Sequence, residues 1–151
     1  MSEIGRVLLA EDSAPDVELT LSAFEEHHLA NQVVVVRDGA EAWDYLSRHG
    51  AYEHRPPGEP AIVLLDVNMP KMGGLEVLRR MRADAELRFV PVVMLTGSRE
   101  ERDIVESYRL GANAYITKPV AFEELIGAAK SLGLYWAMLK EPPAAGLKEA
   151  A

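Results

Sequence analysis

Ile62-Val63-Leu64-Leu65-Asp66-Val67-Asn68-Met69-Pro70-Lys71-Met72-Gly73-Gly74 is the stretch from which the fold is read. Four consecutive apolar residues suit a strand buried on both faces of a sheet. The run stops at an acid, Asp66, and the proline and paired glycines beyond it mark a loop. After Gly73-Gly74, the spacing of Leu75, Val77, Leu78 and Met81 predicts a helix. Strand, loop and helix in that order make one unit of a parallel α/β sheet.

The same unit recurs on both sides. Upstream, Val7-Leu8-Leu9-Ala10 is a strand followed by a helix from about Pro15 to His28. Ser13-Ala14-Pro15-Asp16 reads as its start signal, and Leu19, Leu21 and Phe24 are expected on its buried face. Val33-Val34-Val35-Val36 is a second strand, and Asp38-Gly39 turns into a helix carrying Ala42, Trp43, Tyr45 and Leu46. Residues 49–60 are rich in turn formers and read as a long surface loop. Downstream, Val90 to Leu95 is a fourth strand, Ser98-Arg99-Glu100-Glu101 opens a helix, and Ala114-Tyr115-Ile116-Thr117 is a fifth strand. A last helix begins near Ala121. Five such repeats predict a doubly wound five-stranded parallel sheet, with functional groups beyond the carboxyl ends of its strands.

Composition bounds the function. A chain of 151 residues, 48% apolar and 26% charged, fits one globular domain. No apolar run approaches the ~18 residues of a membrane span, and the N-terminus has no apolar signal core. Cysteine is absent, which excludes disulfides and thiolate metal sites. These features fit a cytoplasmic protein. The net charge of −8 repels phosphate backbones, so neither nucleic acid nor membrane is expected as a partner.

The strand ends carry the chemistry. Strand one ends in Glu11-Asp12, strand three in Asp66 and strand four in Thr96, while Lys118 follows strand five. Each alone has a plain structural reading: Asp12 as a helix cap, Thr96 as the start of a turn, Lys118 as a solvated lysine. Together they bring three carboxylates, a hydroxyl and an ammonium to one crevice. Carboxylates so clustered repel one another unless a cation joins them, and oxygen-only ligands suit Mg²⁺. A carboxylate beside Mg²⁺ and a lysine can attack phosphorus, because the cations neutralise charge on the transferred oxygens. His27, His28, His49 and His54 lack ligand spacing and read as surface residues.

Over residues 5–130 the sequence resembles the receiver domains of bacterial two-component signalling. The matching motifs are Val-Leu-Leu-Ala-Glu11-Asp12, Asp38-Gly39-Ala-Glu-Ala, Leu-Leu-Asp66-Val-Asn-Met-Pro-Lys-Met-Gly-Gly, Val-Met-Leu-Thr96-Gly and Tyr115-Ile-Thr-Lys118-Pro119. The resemblance implies a flavodoxin-like receiver fold with strand order 2-1-3-4-5. It implies that Asp66 accepts a phosphoryl group from a phosphohistidine of a sensor histidine kinase, with self-phosphorylation and autodephosphorylation chemistry of its own. Asp12 and Asp66 would hold Mg²⁺ with the backbone carbonyl of Asn68, and Glu11 would act partly through water. Lys118 would pair with the phosphate, Thr96 and Tyr115 would form a switch pair, and Lys118-Pro119 would carry a cis peptide. Glu11 departs from the commoner Asp, and its extra methylene shifts the carboxylate.

The 49–60 loop, Ser107-Tyr108 and Gly133-Leu-Tyr-Trp136 before Pro142-Pro143 further resemble single-domain regulators that partner phytochrome-type kinases. Residues 1–140 are expected to form the receiver domain and 141–151 a flexible tail, with no output domain. The protein would then signal through contacts with a downstream protein or phosphotransfer partner. Leu132, Leu134, Tyr135, Trp136, Met138 and Leu139, at about 100° per residue, surround a helix rather than mark one face, and predict a homodimer contact centred on residues 134–139. Three other readings compete. A Mg²⁺-dependent phosphatase needs a second acid where Asn68 stands; a flavin module needs a first loop without Glu11-Asp12; a degenerate receiver would lack the site residues that are present here.

Overall fold

The computed structural model describes residues 6–26, 32–97, 101–118, 120 and 122–131. Strands β1 (Arg6–Ala10), β2 (Gln32–Val36), β3 (Ile62–Asp66), β4 (Val92–Thr96) and β5 (Ala114–Thr117) alternate with helices α1 (Ala14–Glu26), α2 (Gly39–Ser47), α3 (Gly74–Ala83), α4 (Glu101–Arg109) and α5 (Phe122–Ser131). The strands pair in parallel in the order β2-β1-β3-β4-β5. The order reverses direction beside β1, so a crevice opens between the loops after β1 and β3.

Alternation along the strands divides the core in two. Leu8, Ala10, Val63, Leu65, Val92 and Met94 face α2 and α3, where they meet Ala42, Tyr45, Leu46, Val77, Leu78 and Met81. Val7, Leu9, Ile62, Leu64, Val93, Leu95 and Ile116 face the other way, onto Val17 and Phe24 of α1 and Leu125 of α5. Side chains of period two cannot bury both sets on one face, so the continuous apolar runs require helices on both.

Two glycines set how closely the loops approach the sheet. A Cβ on Gly74 would lie 2.1 Å from the Asp66 carbonyl oxygen, and one on Gly39 would lie 1.6 Å from that of Met72. The Gly74 amide donates to the Val67 carbonyl at 2.8 Å, folding the start of α3 back onto the end of β3. In the expected pair Gly73-Gly74, Gly74 is therefore a packing requirement as well as part of a turn.

Two expectations are corrected. Leu19 is 61% exposed, and the buried positions of α1 are Val17, Thr20 and Phe24, whose three- and four-residue spacing follows one face. Leu19 lies between those positions and points outward. The 49–60 loop is not simply a surface loop. It holds a 3₁₀ turn at Gly50–Tyr52 and a buried arginine, Arg55. The Arg55 guanidinium donates to the carbonyls of Tyr45 at 2.6 Å and of Pro56 and Gly58 at 2.9 Å, and stacks 4.4 Å from the Tyr45 ring centroid. A planar fork with five donors can satisfy several loop carbonyls at once. Leu134, Tyr135, Trp136, Met138, Leu139, the 141–151 tail, Pro119, His27 and His28 lie outside the described residues.

Candidate functional site

Backbone hydrogen bonds carry the sheet one residue past the strand ends, and this places the site. The Glu11 amide donates to the Val36 carbonyl at 3.0 Å, Val67 to Leu95 at 2.9 Å and Lys118 to Thr96 at 2.7 Å. Glu11, Asp66 and Lys118 are thereby held at the carboxyl ends of β1, β3 and β5 and converge. The Lys118 ammonium donates to Asp66 Oδ2 at 2.9 Å and to Glu11 Oε2 at 2.9 Å. Glu11 and Asp66 are almost fully buried and Thr96 is completely so, while Asp12 is exposed at the rim.

Carboxylate oxygens of Glu11, Asp12 and Asp66 all lie within 4.8 Å of one another. Burial raises the Glu11 pKa to about 7, with the hydrogen-bonding partner Asp66 adding to the rise and Lys118 opposing it. Burial lowers the Lys118 pKa, but its hydrogen bonds to Glu11, Asp66 and Asp16 outweigh that and hold it above the ordinary lysine value. One ammonium thus serves a cluster with more negative charge than it can neutralise. Three oxygen donors, two of them buried and Asp12 at the exposed rim, fit a divalent cation of the hard class.

Of the sequence expectations, Glu11, Asp12, Asp66 and Lys118 are brought together here, and Thr96 joins them at the strand ends through its backbone carbonyl, which accepts from the Lys118 amide. The Asn68 amide donates to Asp66 Oδ1 at 3.2 Å, fixing that carboxylate from the loop side. Thr96 and Tyr115 sit on adjacent parallel strands. Tyr115 pairs with Met94 in the register, and Thr96 with Thr117. Alternation along the strands puts both side chains on the α2–α3 face, where half-buried Tyr115 packs on the core. His49 and His54 are exposed and stand apart from the acidic cluster.

Asp16, which in the sequence marks only a helix start, is a site residue in the structure. Its Oδ2 accepts from Lys118 Nζ at 3.1 Å. The predicted capping box is half formed: the Asp16 amide donates to Ser13 Oγ at 3.3 Å, but the Ser13 amide donates to Glu11 Oε2 at 3.2 Å. The Asp16 carboxylate is therefore released from capping and turned to the crevice. A signal was present, since α1 begins directly beyond β1 and its first turn must overhang the strand ends.

This fold and this site define a class. The model of the response regulator receiver domain family matches residues 7–130, and the chain belongs to that family. It is a phosphoacceptor of two-component signalling, which implies a histidine kinase as partner. The chain is 34% identical over 139 residues to response regulator Rcp1 of Synechocystis sp. (strain ATCC 27184 / PCC 6803 / Kazusa), covering 92% of this chain and 93% of that one. Among solved structures, the bacteriophytochrome response regulator RtBRR is 52% identical with a TM-score of 0.82, over 96% of this chain and 87% of its own. The bacteriophytochrome response regulator AtBRR is 54% identical with a TM-score of 0.82, over 91% and 99%. A Mn(2+)-bound form of Rcp1 superimposes with a TM-score of 0.73 at 34% identity, over 93% and 99%. Among the described residues, no helix is long and apolar enough to cross a membrane.

Proposed function

We propose that Asp66 is the phosphoacceptor and that its donor is a phosphohistidine on a phytochrome-type sensor kinase. The observation that carries the reading is the Asp66 carboxylate itself: buried, 2.9 Å from the Lys118 ammonium and clustered with Glu11 and Asp12. An Asp66 oxygen attacks phosphorus. The bond from phosphorus to the imidazole nitrogen breaks, and its electron pair stays on the histidine. Lys118 donates to an oxygen of the phosphoryl group as it arrives and neutralises part of its charge. The Asn68 amide holds the second Asp66 oxygen in place. Mg²⁺ held by Glu11, Asp12, Asp66 and the Asn68 carbonyl would supply the remaining charge neutralisation. The kinase type is supported by the likeness to the bacteriophytochrome response regulators RtBRR and AtBRR, at more than half identity over nearly the whole chain.

The output of phosphorylation is a change in contacts. Thr96 turns its hydroxyl toward the phosphoryl oxygens, and Tyr115 takes the space vacated, altering the face made by α4, β5 and α5. Residues 1–140 act as one domain with 141–151 as a tail, and Leu134, Tyr135, Trp136, Met138 and Leu139 pair two copies. Incubation with Mg²⁺ and a small phosphodonor tests the central reading. It should yield one acid-stable, base-labile phosphoryl group per chain. Asp66→Asn should abolish it, and persistent labelling of that variant would remove Asp66 as acceptor.

A further inference from the structure

We propose that Asp16 is a positioning residue for Lys118, tethering its ammonium on the α1 side of the crevice throughout phosphoryl transfer. The proposal rests on the reading of Asp66 as acceptor and of Lys118 as the phosphoryl group's partner.

An ammonium has three donors, and here all three are used. They go to Glu11 at 2.9 Å, Asp66 at 2.9 Å and Asp16 at 3.1 Å. Two of the acceptors change role when the site works. Glu11 and Asp66 belong to the cluster that fits a cation, and Asp66 also becomes phosphorylated, which turns its carboxylate into an acyl phosphate and places the negative charge on the phosphoryl oxygens. Asp16 does not belong to that cluster, because the carboxylates that converge are Glu11, Asp12 and Asp66. It is also on a different element, the first turn of α1, whose backbone is fixed there by the Ser13 hydroxyl. When the other two carboxylates turn to a cation, Asp16 is the acceptor that stays.

A tether matters for this lysine in particular. Lys118 lines an open cleft with Glu11, Asp16, Leu19, Thr20 and Val120, and its side chain is 17% exposed. A long side chain at such an opening has rotamers that lead away from Asp66 toward water. One acceptor on the far wall removes them, leaving a donor aimed at the incoming phosphoryl oxygen. Orientation of this kind affects the transition state more than the resting fold. The Asp16 side chain is 33% exposed, so the ion pair contributes little to stability. A rate effect is therefore separable from a folding effect.

The alternative for the same contact is competition, in which Asp16 draws Lys118 away from the phosphoryl group and repels its charge. Asp16→Asn and Asp16→Ala separate the two, because Asn keeps a carbonyl acceptor without charge and Ala keeps neither. Full-length protein with Mg²⁺ and acetyl phosphate is followed by the rate of Asp66 labelling against donor concentration. A tether predicts that Asp16→Ala lowers the maximal rate about tenfold, as loss of a supporting contact in a charged site commonly does. The half-saturating donor concentration and Mg²⁺ affinity should stay near wild type, and Asp16→Asn should restore most of the rate. Wild-type rates in Asp16→Ala, faster rates in both variants, or an Asp16→Asn variant as slow as Asp16→Ala would overturn the proposal. Failure of the folded wild-type chain to label at all would instead remove the phosphoacceptor reading on which it rests, and the proposal with it.

Discussion

Glu11 and Lys118, 107 residues apart in sequence, meet as a part-buried ion pair with Oε1 2.8 Å from Nζ. The extra methylene of glutamate carries its carboxylate past the end of β1 to the lysine after β5, while Oε2 also accepts from the Ser13 amide. Glu11 must therefore give up contacts with a fixed cation and the backbone before it can turn to a metal ion. Asp12, exposed at the rim, is the member of the pair better able to turn toward a metal ion.

It follows that Asp12→Asn should weaken Mg²⁺ binding by about tenfold or more, and Glu11→Gln by less. Titration calorimetry of both variants against wild type checks the order. The reverse order would make Glu11 the principal ligand of the two.

The Glu11 carboxyl, with a pKa of about 7 in the folded chain against an ordinary 4.5, gives a pH signature. A raised acid pKa means that the folded state holds the proton more tightly than the unfolded one. Without metal, stability is then greatest below the ordinary value and falls as pH rises through the window up to about 7. Mg²⁺ must displace that proton, so its affinity should rise with pH across the same window, and binding below neutrality should release protons. Calorimetry in buffers of different ionisation heat counts them. No proton release would mean that Glu11 is already ionised.

Gly74→Ala should destabilise the protein by about 1–3 kcal/mol, because the new methyl has no rotamer to avoid the carbonyl of Asp66. Gly39→Ala should behave alike against the Met72 carbonyl. Gly97 has nothing within 4 Å of a Cβ, so Gly97→Ala serves as the control. Thermal unfolding of the three variants gives the comparison, and equal midpoints would contradict the close approaches.

Thr96→Ala should leave Asp66 able to accept a phosphoryl group but break the link to Tyr115. Beryllofluoride, as a phosphate mimic, should shift amide resonances around α4, β5 and α5 in wild type and far less in the variant. Undiminished shifts in Thr96→Ala would show that the hydroxyl does not transmit the signal.

The segment from Ser131 to Leu139 should make the homodimer contact. Sedimentation of the full chain and of a version ending at Lys130 tests it, with a dimer expected only for the former. Two monomers at tens of micromolar, with the full chain no less stable, would mean that the segment folds back on its own domain.

Much of this molecule is written locally. The β-branched and leucine runs at Val7–Ala10, Val33–Val36 and Ile62–Leu65 have period and composition enough to specify buried strands, and each strand's end is marked by its first polar residue. That is why Glu11, Asp66 and Thr96 could be placed at strand ends without coordinates, with Asp12 and Lys118 one residue beyond, and why the motifs they belong to sufficed for the family. Leu19 and Asp16 were not legible in the same way. Which residues of an amphipathic helix face inward depends on the helix phase against the sheet, and here Val17, Thr20 and Phe24 take the core. Residues 49–60 show the limit most clearly: their composition marks a loop, yet Arg55 holds it through carbonyls of Tyr45, Pro56 and Gly58 and a stacked ring. Local patterning determined strands, helices and site by short-range sterics and hydrophobic period. The choice of partner for a long charged side chain, such as Asp16 for Lys118, is made by distances between elements that only the packed chain sets.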